Sequence, residues 1–431
     1  MAESNGEKQK EVAVPLVEEL GDNQEIYRDT VQHVQAFHAE DKLDVETVQP
    51  APAKIGFFEK YLTVWVILCM IIGVLIGKFL PFIGNFLIKL TVAHISLPIA
   101  VLLWGMIFPM MLQIDFGSLK KVWLSPKGII LTSGINYLIQ PFLMYGLAVL
   151  FFGVIFRSIL VTESTHTVVV NATLNATEII PVESDAVVKQ YIAGSVILGG
   201  SPCTAMVFVW SVLVNGNPSY TLTQVAVNDL LILVAYSPTV KLLLQVSNVE
   251  VPWDTLLLSV ALFVVIPLVA GVLARHFILK SKGEAYLNNV LLPHVKPLTI
   301  GALLLTLVLI FMFQADQIVG SPLHILLIAV PLTVQTFAVW GLAYGLAYLI
   351  RLPFGIAAPG SMIAASNFFE LAVAVSISVF GPEDGSVLAT TVGVLTEVPT
   401  MLTLVYICNR TKNAMEARNV EQKGPVNTEV Q

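Results

Sequence analysis

The sequence predicts an all-α membrane protein with about ten transmembrane helices, arranged as two inverted five-helix repeats with broken, crossing fourth and ninth helices. Of its 431 residues, 56% are hydrophobic and 12% are charged, a balance not found in soluble globular domains. Apolar windows of about 20 residues, long enough to cross a bilayer, recur along residues 55–410. Two of these windows also resemble each other. These three observations predict the fold class.

The predicted spans follow one another with short connections, except for one long loop at 158–188. They lie near 61–82, 94–114, 128–156, 189–214, 220–240, 255–279, 297–315, 322–350, 357–380 and 386–408. Ten spans divide into repeats of about 61–240 and 255–408. An odd number of spans in each repeat inverts the second repeat in the membrane.

The two ends of the chain are predicted to be cytoplasmic tails. Residues 1–54 are acidic and contain no apolar run, so we expect a solvated, disordered segment; residues 411–431 form the second tail. An excess of Lys and Arg falls in loops such as 115–127 and 275–296, which places those loops and both termini inside. The plasma membrane is the expected location, with a vacuolar membrane as the alternative.

The long loop at 158–188 is then extracytoplasmic. It carries two N-x-T sequons, at Asn171 and Asn175. These are weak candidates for glycosylation in a eukaryotic secretory route.

The fourth span is interrupted by Gly199-Gly200-Ser201-Pro202-Cys203-Thr204. Two glycines loosen the helix, and Pro202 removes a backbone donor. We therefore predict two half-helices joined by an unwound break, with Pro202 in the first turn of the second half and Cys203 near its positive end. Irregular backbone at membrane depth is tolerated where it lines a cavity or packs inside protein, and a lone thiol there is a soft ligand.

The ninth span aligns with the fourth without gaps. Ser201–Ser211 matches Ser366–Ser376, and Gly216 falls on Gly381; a further shift of three residues places Asp229 on Glu397. Similarity of this kind, combined with inversion, predicts paired broken helices that cross at the bilayer midplane around a substrate.

Three carboxyl groups fall inside spans, at Asp229, Glu370 and Glu397. Each costs roughly 2.5–3.5 kcal/mol at a helix centre on insertion scales, so each requires a function or a structural partner. Asn228 adjoins Asp229, and Asn367 shares a helix face with Glu370. We interpret Glu397, Asp229 and Asn228 as a proton-coupling group, and Cys203, Ser201, Asn367 and Glu370 as the substrate-binding group.

Other polar residues are less informative. Asn136, Gln140 and Gln335 either line the cavity or hydrogen-bond between helices. Cys69 and Cys408 have no helix breaker beside them and are interpreted as small apolar residues. The sequence shows no nucleotide-binding, metalloprotease or kinase motif, so we expect no enzyme activity, no cofactor and no bound metal.

Four motifs resemble those of the arsenite efflux permease family, within the bile acid/arsenite/riboflavin transporter superfamily. They are residues 199–211 (GGSPCTAMVFVWS), 227–230 (VNDL), 366–371 (SNFFEL) and 393–399 (GVLTEVP). The resemblance covers roughly residues 55–410. It implies ten spans and export of trivalent arsenic as neutral arsenious acid, in some members also antimonite, in exchange for protons. It also implies that Cys203 and Glu397 are the functional cysteine and glutamate.

Two alternatives stay open from the sequence. A sodium-coupled importer of organic anions on the same fold would use Glu370 and Asn367 as its ion site. A membrane receptor or scaffold would bind partners through its acidic tail and would transport nothing.

Overall fold

The computed structural model describes residues 61–92, 95–114, 126–161, 185–204 and 206–420. The 1–54 tail, the sequons at Asn171 and Asn175, and the end of the second tail lie outside these residues. Within them, the chain is helical apart from connections and a small antiparallel hairpin of β1 (Thr91–Val92) and β2 (Ile95–Ser96).

The helices are numbered in chain order. They are α1 (Leu62–Phe79), α2 (Pro81–Lys89), α3 (Leu97–Gln113), α4 (Lys127–Ile155), α5 (Ala186–Gly199), α6 (Val207–Leu213), α7 (Pro218–Val246), α8 (Trp253–Phe313), α9 (Ala315–Gly320), α10 (Pro322–Leu349), α11 (Phe354–Ala365), α12 (Phe369–Phe380) and α13 (Gly385–Val420).

Among the described residues, five helices are long and apolar enough to cross a membrane: α4, α7, α8, α10 and α13. A sixth span is obtained if α1 and α2, which meet at a bend of 95°, are counted together from Val64. Helices α3, α5, α11 and α12 are apolar but shorter. The protein is therefore a multi-pass membrane protein.

Helix α8 is one helical run of 61 residues that covers two predicted spans, 255–279 and 297–315. The run departs from helical geometry at Gly283, where φ is 78° and ψ is 172°. Glycine accepts this positive φ without the steric penalty that a side chain brings. The two predicted spans therefore lie on either side of this turn.

Large apolar side chains cover the outside of the helices. Leu138 and Val234 are each 74% exposed, and Leu326 is 63% exposed. Exposure of this kind over long helices suits contact with lipid.

The interior is built by close helix pairs. Helix α5 packs on α13 at Gly194, where a Cβ atom would lie 2.3 Å from the Ser386 carbonyl oxygen and 2.7 Å from the Ala389 Cβ. Small residues at such positions let backbones approach within a membrane protein. The packing holds α5, which leads into the first helix break, against α13, which carries Glu397.

Two neighbouring helix pairs are interrupted. Helix α5 ends at Gly199 and α6 begins at Val207, while α11 ends at Ala365 and α12 begins at Phe369. The two interruptions, called here the first break (200–206) and the second break (366–368), lie against each other.

Pro202 therefore does not start the second half-helix, as its helix-start preference predicted. The half-helix α6 begins five residues later, at Val207. Pro202 instead pairs with Asn367 in an isolated antiparallel bridge. Cys203 consequently lies within the non-helical first break, away from the first turn of α6.

Candidate functional site

Reciprocal backbone hydrogen bonds join the two breaks. The Cys203 amide donates to the Ser366 carbonyl at 3.0 Å, and the Phe368 amide donates to the Ser201 carbonyl at 2.8 Å. These bonds satisfy two backbone donors and two acceptors that the interrupted helices leave without helical partners. The breaks therefore form one small paired structure inside the protein.

The side chains that flank the breaks show the same correspondence. The Ser211 hydroxyl lies 2.6 Å from the Thr221 hydroxyl, and the Ser376 hydroxyl donates to Ser386 at 2.8 Å. Ser211 and Ser376 align in sequence, and the same offset relates Thr221 to Ser386. A hydrogen bond between two hydroxyl groups therefore recurs at equivalent positions in the two segments, once from α6 and once from α12.

Cys203 is buried in this paired structure. Its thiol hydrogen-bonds with the Ser366 hydroxyl and interacts electrostatically with the carboxyl groups of Glu397 and Glu370. Sulfur, hydroxyl and carboxyl oxygens are thus brought together from the first break, the second break and α13.

Ser366 connects the thiol to Glu397. Its hydroxyl donates to the Glu397 carboxyl group while also facing Cys203. Ser366 belongs to the 366–371 motif, but the sequence alone did not predict a function for it. Its alignment with Ser201, at the edge of a predicted break, was the signal that could have identified it.

Glu370 lies in the first turn of α12, next to Glu397. Both side chains are buried. Among the described residues, no other residue donates a hydrogen bond to the carboxyl group of Glu370, which interacts with its own backbone amide. The carboxyl group therefore keeps acceptor capacity for a ligand.

Asp229 does not join this group. Its carboxyl group, on α7, faces the Thr204 hydroxyl and lies near Tyr137 of α4. Cys203 and Thr204 are consecutive in the first break, yet their side chains interact with different acids. Glu370 and Glu397 interact with Cys203, whereas Asp229 interacts with Thr204.

Asn228 belongs to a polar network between α4 and α7. Its side-chain oxygen accepts from Gln224 at 3.0 Å and from Asn136 at 3.4 Å, and its backbone carbonyl accepts from the Tyr137 hydroxyl at 2.7 Å. These contacts fix the part of α7 that carries Asp229.

Ser201 and Asn367 are placed at the breaks themselves. The Ser201 hydroxyl donates to the Leu198 carbonyl at 3.0 Å, so it satisfies an acceptor at the end of α5. The Asn367 side-chain oxygen accepts from Gln140 of α4 at 2.5 Å. Helix α4 therefore contacts the second break through this side-chain hydrogen bond.

The two glycines before the break have a packing role. Gly199 is the last residue of α5, and Gly200 keeps right-handed helical angles. A Cβ atom on Gly199 would lie 2.5 Å from the Met144 Cβ of α4, and one on Gly200 would lie 2.8 Å from Val240 of α7. The helix ends at these glycines, and the lack of a side chain at both positions also lets three helices meet beside the break.

Within the described residues, no three His, Cys, Asp or Glu side chains are grouped so that they could hold a metal ion. One thiol at this site therefore provides a single soft contact. A contact of that kind suits a ligand that must also leave.

Long apolar helices, paired breaks in the interior and buried carboxyl groups around a lone thiol define a membrane transport protein. A family model described as the Sodium Bile acid symporter family matches residues 100–321. The Arsenical-resistance protein Acr3 of Alkaliphilus metalliredigens is 51% identical over 359 residues, which is 83% of this chain and 94% of that protein.

Two further relatives have similar coverage. The Acr3 of Corynebacterium glutamicum is 30% identical over 364 residues, 82% of this chain and 90% of its own length. An uncharacterized transporter of Synechocystis sp. is 43% identical over 371 residues, 85% and 93% of the two chains. The chain belongs to the Acr3 arsenical-resistance family, within the sodium/bile acid symporter family. Its relatives are transporters, as the absence of enzyme motifs in the sequence led us to expect.

Proposed function

We propose that this protein exports arsenite from the cytosol, as neutral arsenious acid, in exchange for protons. The observation that carries the proposal is the position of Cys203, whose buried thiol lies in the first break beside Ser366, Glu370 and Glu397. Relatives named for arsenical resistance support the cargo.

The chemistry of arsenious acid matches this set of groups. The molecule is uncharged, carries three hydroxyl groups that donate hydrogen bonds, and has a soft arsenic atom. Cys203 supplies the soft contact, and the carboxyl group of Glu370 supplies acceptors. A single sulfur allows release on the other side of the membrane, whereas several thiolates would trap the arsenic.

Proton exchange is assigned to Glu397 and Asp229. Both are buried carboxyl groups, and a buried ionisable group in a membrane helix is typical of proton relays. Glu397 contacts the cargo-binding cluster through Ser366, whereas Asp229 interacts with Thr204. In this proposal, protonation of Glu397 competes with cargo, and Asp229 contributes a second titrating position.

The helices are consistent with ten crossings. Helices α1, α3, α4, α7, α10 and α13 cross once each, α8 crosses twice about its turn at Gly283, and the pairs α5–α6 and α11–α12 each cross as one broken helix. The reciprocal bonds between the breaks support an inverted repeat. Transport then proceeds by alternating access, in which the bundle that holds the paired breaks moves against a smaller panel of helices.

Orientation follows from the basic loops, which place both termini in the cytoplasm. The plasma membrane is the proposed location.

The test is uptake of arsenite into everted membrane vesicles, with and without an imposed proton gradient. Export in the cell corresponds to accumulation in these vesicles. We expect accumulation that rises with the gradient, and the same assay with antimonite determines whether it is a second cargo. No accumulation by well-folded protein would overturn the proposal.

The second candidate function is sodium-coupled uptake of an organic anion, favoured by the description of the matching family model. Among the described residues, Arg275 is the one buried basic side chain, and it donates to the Leu112 carbonyl at 2.5 Å. No described basic group is thus buried at the breaks to bind an anion. Replacing sodium with potassium in the same vesicles separates the two functions, since only this candidate requires sodium.

A further inference from the structure

Helix α4 contributes an amide side chain to the paired breaks. Gln140 donates from its side-chain nitrogen to the Asn367 oxygen at 2.5 Å, and Asn367 is the residue that pairs with Pro202. One turn further along α4, Met144 packs directly on Gly199. Gln140 is therefore bonded to the residue of the second break that pairs with the first break, and its helix packs on the end of α5.

The helix widens just before Gln140, as it does in four other stretches of the described helices. Gln140 follows the π-helical stretch Ile135–Ile139 and precedes Pro141. Single π-helical turns inside α-helices occur frequently at functional sites, where they redirect side chains. Here the wide turn precedes the one residue of α4 that contacts the second break through a side-chain hydrogen bond in the described part of the chain.

The other end of the same amide is unsatisfied. Gln140 is buried, and its side-chain oxygen has no hydrogen-bond partner among the described residues. Buried carbonyl oxygens are nearly always paired, because a missing partner is unfavourable. A buried oxygen of this kind beside a ligand site is suited to accept a hydrogen bond from the ligand.

We propose that Gln140 is a cargo-binding residue: its nitrogen fixes Asn367 beside the bridge, and its oxygen accepts a hydrogen bond from one hydroxyl group of arsenious acid. The inference rests on the proposed function. Glu370 and Gln140 then provide acceptors from α12 and α4, while Cys203 contacts arsenic from the first break. Three contacts from three segments match a cargo with one soft atom and several hydroxyl donors.

The test compares Gln140 variants in the vesicle assay. Gln140→Met keeps the length of the side chain and removes both its donor and its acceptor; Gln140→Glu keeps the shape and an acceptor oxygen. We expect Gln140→Met to raise the arsenite KM about tenfold with a maximal rate within about twofold of wild type, and Gln140→Glu to stay within about threefold in KM. The control is Gln113→Met, since Gln113 donates to Pro109 of its own helix at 3.2 Å.

A purely structural role would reduce the amount of folded protein or the maximal rate and leave KM unchanged. If Gln140→Met fails to reach the membrane, Gln140→Asn withdraws the oxygen by one methylene and must raise KM in the same way. An unchanged KM with active wild-type protein overturns this inference alone. Wild-type protein that accumulates no arsenite overturns the proposed function and this inference together.

Discussion

Pro202 and Asn367 occupy equivalent positions in two internally similar segments, and they pair with each other in an antiparallel bridge. The backbone bonds on either side are related by the same equivalence: Cys203 to Ser366, and Phe368 to Ser201. Proline lacks a backbone donor, and no donor of residue 202 takes part in these two bonds. The pairing therefore leaves no backbone donor missing at Pro202, the residue at which the helix is interrupted.

Cys203→Ala removes the soft contact for arsenic. We expect the rate of arsenite transport at limiting substrate to fall at least about tenfold. Cys408→Ala is the matched control, because Cys408 is also fully buried but lies within the continuous helix α13. Equal transport by wild type and Cys203→Ala would contradict the role of sulfur.

Glu397→Gln keeps the size of the side chain and an oxygen that can accept from Ser366, but it cannot ionise. Because an uncharged amide mimics the protonated carboxyl group that competes with cargo in the proposed mechanism, we expect the arsenite KM to rise about tenfold. Accumulation should no longer rise when a proton gradient is imposed. Glu416→Gln, on an exposed part of α13, is the control; a preserved gradient response in Glu397→Gln would remove Glu397 from coupling.

Ser366→Ala removes the donor to Glu397 and the hydroxyl that faces Cys203. A buried hydrogen bond contributes about 0.5–1.5 kcal/mol, so we expect transport at limiting arsenite to fall by about threefold to tenfold. Ser361→Ala, whose hydroxyl bonds to Ala358 within its own helix at 2.8 Å, should stay near wild type. Similar losses in both variants would indicate a general packing defect.

Gly194→Ala should destabilise the protein by about 1–3 kcal/mol, as overpacking does. The added methyl group would overlap the Ser386 carbonyl oxygen, a backbone atom that cannot turn away. Gly341→Ala is the control, since no described atom lies within 4 Å of its added Cβ and alanine is the better helix former. Unfolding temperature in detergent, followed by intrinsic fluorescence, should drop for Gly194→Ala and hold or rise for Gly341→Ala.

The sequence was sufficient to locate the interruption around Pro202 and Cys203, because glycine and proline act on the local backbone. It was insufficient to find where helix resumes. Pro202 pairs with Asn367, which is far away in the sequence. The preference of proline for the start of a helix depends on neighbouring residues and gives no information on such a distant partner. The packing role of Gly199 was missed for the same reason, since Met144 lies on another helix.

The buried acids could be found from the sequence, but their grouping could not. The sequence analysis grouped Asp229 with Glu397 and placed Glu370 with the substrate-binding residues. In the structure, Glu397 interacts with Glu370 and Cys203, whereas Asp229 interacts with Thr204. Which acid each side chain of the first break contacts depends on the backbone path of an irregular segment, and neither composition nor spacing determines that path.

The paired breaks have a consequence for discrimination against oxyanions. Broken helices in transporters commonly direct free backbone amides at anionic substrates. Here the Cys203 and Phe368 amides are occupied by each other's segments, and Glu370 places a carboxyl group in the first turn of α12. Phosphate and arsenate, which are abundant or chemically close to the cargo, would meet acceptors where they need donors. If cargo binds at the paired breaks as proposed, we therefore expect the same backbone pairing to disfavour charged phosphate-like ions there.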